Sequence, residues 1–291
     1  MKTKPLYSDK NIDLFCVDII ENLNIIPVNK IQAVITSPTY WGKRQFTKDP
    51  NEIGSESLES YVERNVNLYS NILQKMKPGG SLFVIIQDTY MGSGGSRSHH
   101  KKYKGQTGKF KRMGNSSDMQ GNKSSVTSKH NHIQNKSLCG IPYKIALALL
   151  DMGFIWRQQI IWEKPNPMPE NVQDRVWQSA EYILHFTNHK NYKFNKEGLS
   201  IIGVNKKPRL PNQVITASTE PKQNHSATFP EKIVEKLLLS VTDPDDLVFE
   251  PFLGSGTMLK LCLKHERKFL GCDINKPFVD NAISIIENYK K

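Results

Sequence analysis

Two short stretches far apart in the chain carry residue types that suit a single reaction. Ala33-Val34-Ile35-Thr36 is an apolar run that breaks into Ser37-Pro38-Thr39-Tyr40. The Ser37 hydroxyl and the Pro38 carbonyl form a pair of hydrogen-bond acceptors, and proline stiffens the turn while donating nothing from its nitrogen. Such a pair suits a planar amino group whose lone pair is delocalised into a ring. Two acceptors take its two hydrogens and favour a pyramidal, more nucleophilic nitrogen. Tyr40 adds a ring face on which an extruded base can stack. Transfer from a sulfonium donor to such an amine is mostly in-line placement. It calls for no metal and no strongly shifted base.

The second stretch runs from Leu247-Val248-Phe249-Glu250 into Pro251-Phe252-Leu253-Gly254-Ser255-Gly256. Its glycines permit positive φ and a close backbone approach to a ligand. The next apolar run, Lys268 to Cys272, is followed by Asp273. That is roughly 20 residues on, where a carboxylate can accept from ribose hydroxyls. The assembly reads as a nucleoside-cofactor site. A dinucleotide could use similar geometry, although the full GxGxxG fingerprint is absent.

Elements with apolar periodicity must position these loops. Strands are expected at Leu14 to Val17, Ile31 to Thr36, Ser81 to Ile86, Phe154 to Trp162, Ala180 to Phe186, Leu247 to Glu250 and Lys268 to Cys272. Helices are expected over Leu58 to Met76, Ile141 to Leu150, Phe229 to Ser240, Gly256 to His265 and Lys276 to Tyr289. The alternation predicts one α/β domain with a mainly parallel sheet, and such sheets bind ligands beyond the carboxyl ends of their strands. Both chemical stretches fall at such ends.

Two regions break the pattern. Residues 91–137 hold ten Lys and Arg against one acid, Asp118, among Gly, Ser and Asn, and read as a basic mobile insertion that skims phosphate. Residues 188–224 read as polar and irregular. The net charge of +12 and pI near 9.4 point to a polyanionic partner. Cys16, Cys139, Cys262 and Cys272 form no CxxC pair, so they read as reduced core thiols. No apolar run approaches a membrane span and no signal-peptide pattern opens the chain, so the expectation is a cytoplasmic protein without membrane contact. His99, His100, His130 and His132 lie in Lys-rich surroundings and are not read as metal ligands.

The motifs and their order resemble the permuted beta class of S-adenosylmethionine-dependent DNA amino-methyltransferases. Thr36 to Gly42 is similar to that family's TSPPYWG catalytic motif, and Phe249 to Thr257 to its (D/E)PFxGSGT cofactor motif. Asn224 to Pro230, Ile161 to Pro169, Asp174 to Ile183 and Gly271 to Ile274 resemble further family segments. The resemblance implies a Rossmann-like class I sheet with helices on both faces, circularly permuted so that the catalytic half precedes the cofactor half. It implies a single domain over 1–291, with 188–224 as the target-recognition region.

By that resemblance, Ser37, Pro38 and Tyr40 are catalytic. Asp18, Thr36, Glu250, Phe252, Gly254, Ser255, Gly256, Thr257 and Asp273 bind S-adenosyl-L-methionine. Trp41, Lys164, Asn166, Pro167 and Arg175 approach the target base or DNA. The partners implied are double-stranded DNA and a cognate restriction endonuclease, with the enzyme a monomer or homodimer. Thr39 departs from the family's second proline, and Val17 from the glycine that precedes its acidic residue.

Serine at position 37 accompanies cytosine N4 methylation in this family, whereas Asp or Asn accompanies adenine N6. Cytosine C5 chemistry needs a Pro-Cys nucleophile, and no cysteine here follows proline. The alternatives left open are an adenine-N6 enzyme, a degenerate DNA-binding member, and an RNA or protein methyltransferase.

Overall fold

The computed structural model describes residues 3–43, 51–92, 130–167, 169–202, 207–218 and 230–290. Its strands are β1 (Tyr7–Ser8), β2 (Ile12–Cys16), β3 (Ile31–Thr36), β4 (Ser81–Ile86), β5 (Ile155–Glu163), β6 (Ala180–Thr187), β7 (Ile201–Ile202), β8 (Pro208–Arg209), β9 (Val214–Thr216), β10 (Leu247–Glu250) and β11 (Lys268–Asp273). The helices are α1 (Leu58–Lys75), α2 (Ile141–Asp151), α3 (Lys196–Leu199), α4 (Glu231–Val241), α5 (Thr257–Lys264) and α6 (Lys276–Tyr289).

Nine strands form one sheet in the order β1-β2-β11-β10-β3-β4-β6-β5-β9. From β2 to β4 every pairing is parallel, β6 runs antiparallel to both its neighbours, and β9 is parallel to β5. The late strand β10 lies between β11 and the early strand β3, so the two chemical stretches end side by side.

The central strands are mostly apolar because helices cover both faces. Along β4, Leu82, Val84 and Ile86 pack with α1 and α2, while Phe83 and Ile85 join the core under α4, α5 and α6. The β3 strand divides in the same way, with Val34 on the first face and Ala33 and Ile35 on the second. Ser57 caps α1 by accepting from the Ser60 N–H. Lys77-Pro78-Gly79-Gly80 then turns the chain into β4, with Gly79 at φ 80°.

Two expectations needed correction. The 188–224 region is only partly irregular: β9 extends the main sheet beside β5, and α3 packs closely on α4. A Cβ at Gly198 would come within 2.5 Å of the Leu239 backbone, so that contact requires glycine. The sheet is mainly parallel as expected, with β1 and β6 as antiparallel members. Finally, the first predicted strand starts earlier, because Ile12 pairs with Phe269.

The core of the 91–137 insertion lies outside the described residues, as do Asn224 to Phe229, His99 and His100. Its two ends are described, and they are zipped together. The Met91 N–H donates to the Ser137 carbonyl, Lys136 N–H to that of Met91, and Cys139 N–H to that of Thr89. The Asp88 carboxylate accepts from the N–H groups of Thr89, Gly140 and Ile141, closing the neck at the start of α2. No described helix is long and apolar enough to cross a membrane.

Candidate active site

Parallel pairing of Val34 with Phe249 brings the ends of β3 and β10 together. Thr36, the last residue of β3, donates its hydroxyl to Glu250 Oε1, the last side chain of β10. Ser37 follows directly, half-buried, with Pro38 buried behind it. The Ser37 loop is held from outside. The Tyr61 hydroxyl of α1 donates to the Thr39 carbonyl at 2.9 Å, and the Thr89 hydroxyl donates to the Trp41 carbonyl at 3.1 Å. Thr39 therefore sits in a turn braced by α1, where the family motif has a second proline.

Trp41 is 1% exposed and donates its indole N–H to the Glu56 carbonyl at 2.8 Å. It packs under the loop with its ring out of solvent. Tyr40 remains half-buried at the site, with its hydroxyl donating to Glu181 Oε2 at 2.5 Å. Burial, and after it the Glu181 charge, push this phenol well above its ordinary pKa, so it stays a donor.

Glu181, on β6, was missed by sequence reasoning. Its other oxygen accepts from the Lys164 ammonium, which also lies 4.7 Å above the Trp162 ring. Lys164, expected near the target base or DNA, is paired with Glu181 inside the protein. Asn166 and Pro167 follow it in the loop after β5, with Asn166 exposed. Arg175 pairs with Glu170 at 2.7 Å, and its guanidinium covers the Tyr90 ring at 4.0 Å. Trp177 is 47% exposed beside Val176 at 86%.

The glycine loop is shaped by its backbone. Gly254 and Gly256 have φ of 50° and 77°, and Gly256 caps α5. The Gly254 N–H donates to Asp273 Oδ2 at 2.9 Å, and Asn275 N–H to Oδ1 at 2.8 Å. Each carboxylate oxygen keeps further acceptor capacity. Burial pushes Asp273 up to about 6 despite those two bonds. The Phe252 N–H donates to Glu250 Oε1 at 3.2 Å, and the Ser255 and Thr257 hydroxyls lie 3.1 Å apart.

Asp18 sits just beyond β2, next to the Asp273 end of β11. Its Oδ1 accepts from Ile20 N–H, and Arg64 lies 3.6 Å from Oδ2. Glu250 is 1% exposed, and its Oε2 finds no hydrogen-bond partner among the described residues. Burial holds its carboxyl well above the usual range. A cation placed beside that oxygen would offset the burial and favour the ionised carboxylate. No cluster of potential metal ligands occurs among the described residues.

A sheet ending in two such loops defines an α/β transferase-type site, and the comparisons give its family. Residues 31–284 match the DNA methylase family of N6 and N4 methyltransferases, and the chain belongs to that family. It is 31% identical to the type II methyltransferase M.Cfr9I of Citrobacter freundii, over 94% of this chain and 87% of that one. The fold matches PvuII DNA methyltransferase (cytosine-N4-specific) with a TM-score of 0.69 and 18% identity, covering 99% and 94% of the two chains. It also matches the Thermus thermophilus protein TTHA0409 complexed with S-adenosyl-L-methionine, with a TM-score of 0.61 and 18% identity over 96% and 95%.

Proposed function

We propose that the protein methylates the exocyclic N4 amine of a cytosine extruded from duplex DNA, using S-adenosylmethionine. The observation that carries this reading is the Thr36–Glu250 hydrogen bond, which ties the Ser37 loop to the glycine loop at adjacent strand ends. The fold would then be a circular permutation, with the cofactor strands β10 and β11 last in the chain and central in the sheet.

The residues fit this cofactor. Glu250 offers a buried oxygen, without a hydrogen-bond partner among the described residues, to a ligand carrying ammonium and sulfonium charge. Gly254 and Gly256 bring bare backbone to the cleft, and Asp273 retains acceptor capacity for ribose hydroxyls. Asp18 stands beside Asp273 for the adenine end. S-adenosylmethionine, when bound, supplies an electrophilic methyl group. Ser37 Oγ and the Pro38 carbonyl accept the two amine hydrogens and favour a pyramidal nitrogen, while the Tyr40 ring supports the base. The nitrogen sheds a proton after gaining the methyl group, so no strongly basic side chain is needed.

Serine rather than Asp or Asn at position 37 supports cytosine over adenine, and the likeness to the type II methyltransferase M.Cfr9I supports a type II restriction-modification role beside a cognate endonuclease. Sequencing that detects modified bases, in DNA from cells expressing the protein, tests the reading. Cytosine N4 methylation at one recurring site is expected. Methylated adenine would move the assignment to N6, and unmodified DNA would leave a degenerate binding protein.

A further inference from the structure

Glu181 and the half-buried Lys164 are charges that methyl transfer does not itself demand, yet they hold the hydroxyl of Tyr40, three residues from the candidate catalytic serine. Glu181 is 6% exposed. A carboxylate only accepts hydrogen bonds and an ammonium only donates them. Lys164 donates to one Glu181 oxygen and Tyr40 to the other. Tyr40 has thereby committed its single hydrogen, and its oxygen is left to accept. Ser37 lies three residues earlier in the same turn, and its hydroxyl is of the right kind to donate to that oxygen. A Ser37 hydrogen given to Tyr40 would leave the lone pairs of Ser37 Oγ for another donor.

We propose that the Lys164–Glu181 pair fixes the direction of hydrogen bonding through Tyr40, so that Ser37 meets the target amine as an acceptor. Glu181 and Lys164 are positioning residues in this scheme, which rests on the reading of Ser37 as an amine acceptor. A serine free to rotate could instead turn its own hydrogen toward the amine and lose the polarisation. The chain draws on three distant elements, the ends of β3 and β5 and the start of β6. Its direction cannot reverse while Lys164 is charged and Glu181 ionised.

The isosteric change Glu181→Gln makes the direction testable. Lys164 can only donate, so the oxygen of the new amide must face it and the amide N–H must face Tyr40. Tyr40 then becomes an acceptor from the amide and turns its hydrogen to Ser37, blocking the lone pairs. Turnover at saturating duplex DNA is expected to fall about tenfold or more, with cofactor affinity unchanged. Adding Lys164→Met releases the amide to rotate, so its oxygen can again accept from Tyr40. The double variant should recover most of the lost turnover, which a purely structural ion pair would not do, since removing a second partner should only worsen packing.

Wild-type turnover in Glu181→Gln, or a double variant no faster than Glu181→Gln alone, would overturn the inference. If Glu181→Gln does not fold, Tyr40→Phe decides in its place. It should slow turnover several-fold in the wild-type background and cost nothing further in a Ser37→Ala background, and an equal cost in both backgrounds counts against the relay. Methylation of DNA by the wild-type protein is scored separately, so an inactive wild type would refute the functional reading and not merely this relay.

Discussion

The two loops that meet at the ends of β3 and β10 are built on opposite principles. The glycine loop is defined by backbone shape, with left-handed Gly254 and Gly256 and the Gly254 N–H turned toward Asp273. The Ser37 loop is defined by side chains, with Trp41 buried beneath it, Tyr61 bracing Thr39 and Glu181 holding Tyr40. The difference follows from what each must hold. A large cofactor needs close, sequence-neutral contact with backbone, whereas a small amine needs two acceptors aimed to within a few tenths of an ångström. One loop should therefore fail through any side chain added to it, and the other through particular atoms removed from it.

The largest expected effect comes from Gly256→Val. The residue sits at φ 77°, and a Cβ there would lie 2.9 Å from Ile285 Cδ1. Backbone strain of about 1–3 kcal/mol adds to that clash. S-adenosylmethionine binding measured by calorimetry should be lost, while duplex DNA binding without cofactor should survive. Ser37→Ala is the mirror experiment. It should cut methyl transfer at least about tenfold with cofactor affinity intact. If either variant disabled both ends equally, the division of labour would be wrong.

A subtler contrast lies in Asp273, whose carboxyl rises from 3.8 to about 6 through burial. A carboxylic acid with a raised folded-state pKa contributes stability below about pH 4 and loses that contribution as pH rises through 6. The unliganded Tm of wild type should therefore decline over pH 4 to 6 relative to Asp273→Asn, by up to about 3 kcal/mol of stability. Parallel pH curves for the two proteins would show that Asp273 is not the titrating group.

The smallest expected change in stability concerns 93–129. Its flanks are closed by the 88–92 and 136–141 ladder. A short Gly-Ser replacement should leave the Tm unchanged or slightly raised, since loop closure costs little per doubling of length. The same deletion removes nine Lys and Arg and should flatten the salt dependence of DNA binding. A collapsed fold would show that the segment is structural, and an unchanged salt slope that its charge does not meet phosphate.

What can be read from sequence follows from the range of the forces involved. The bounds of β3, β4 and β10 are legible because mostly apolar runs are bracketed by Lys30 and Ser37, Gly80 and Gln87, and Asp246 and Pro251. The glycine loop is legible because φ requirements are local. Glu181 is not, because its tie to Tyr40 spans 141 residues and depends on β6 running antiparallel beside β4. The burial of Trp41 and the capture of Lys164 escape for the same reason: an aromatic and a lysine look alike in sequence whether they face DNA or a partner side chain. Val214–Thr216 carries no periodicity among its polar neighbours, and only the exposed edge of β5 makes it a strand.

The most direct measurement is the chemical identity of the product. Duplex DNA incubated with the protein and S-adenosylmethionine carrying a deuterated methyl group can be digested to nucleosides and weighed by mass spectrometry. Deuterated N4-methylcytosine is the expected product, and it should vanish with Ser37→Ala or Gly256→Val. Label in N6-methyladenine, or no label in DNA at all, would contradict the assignment.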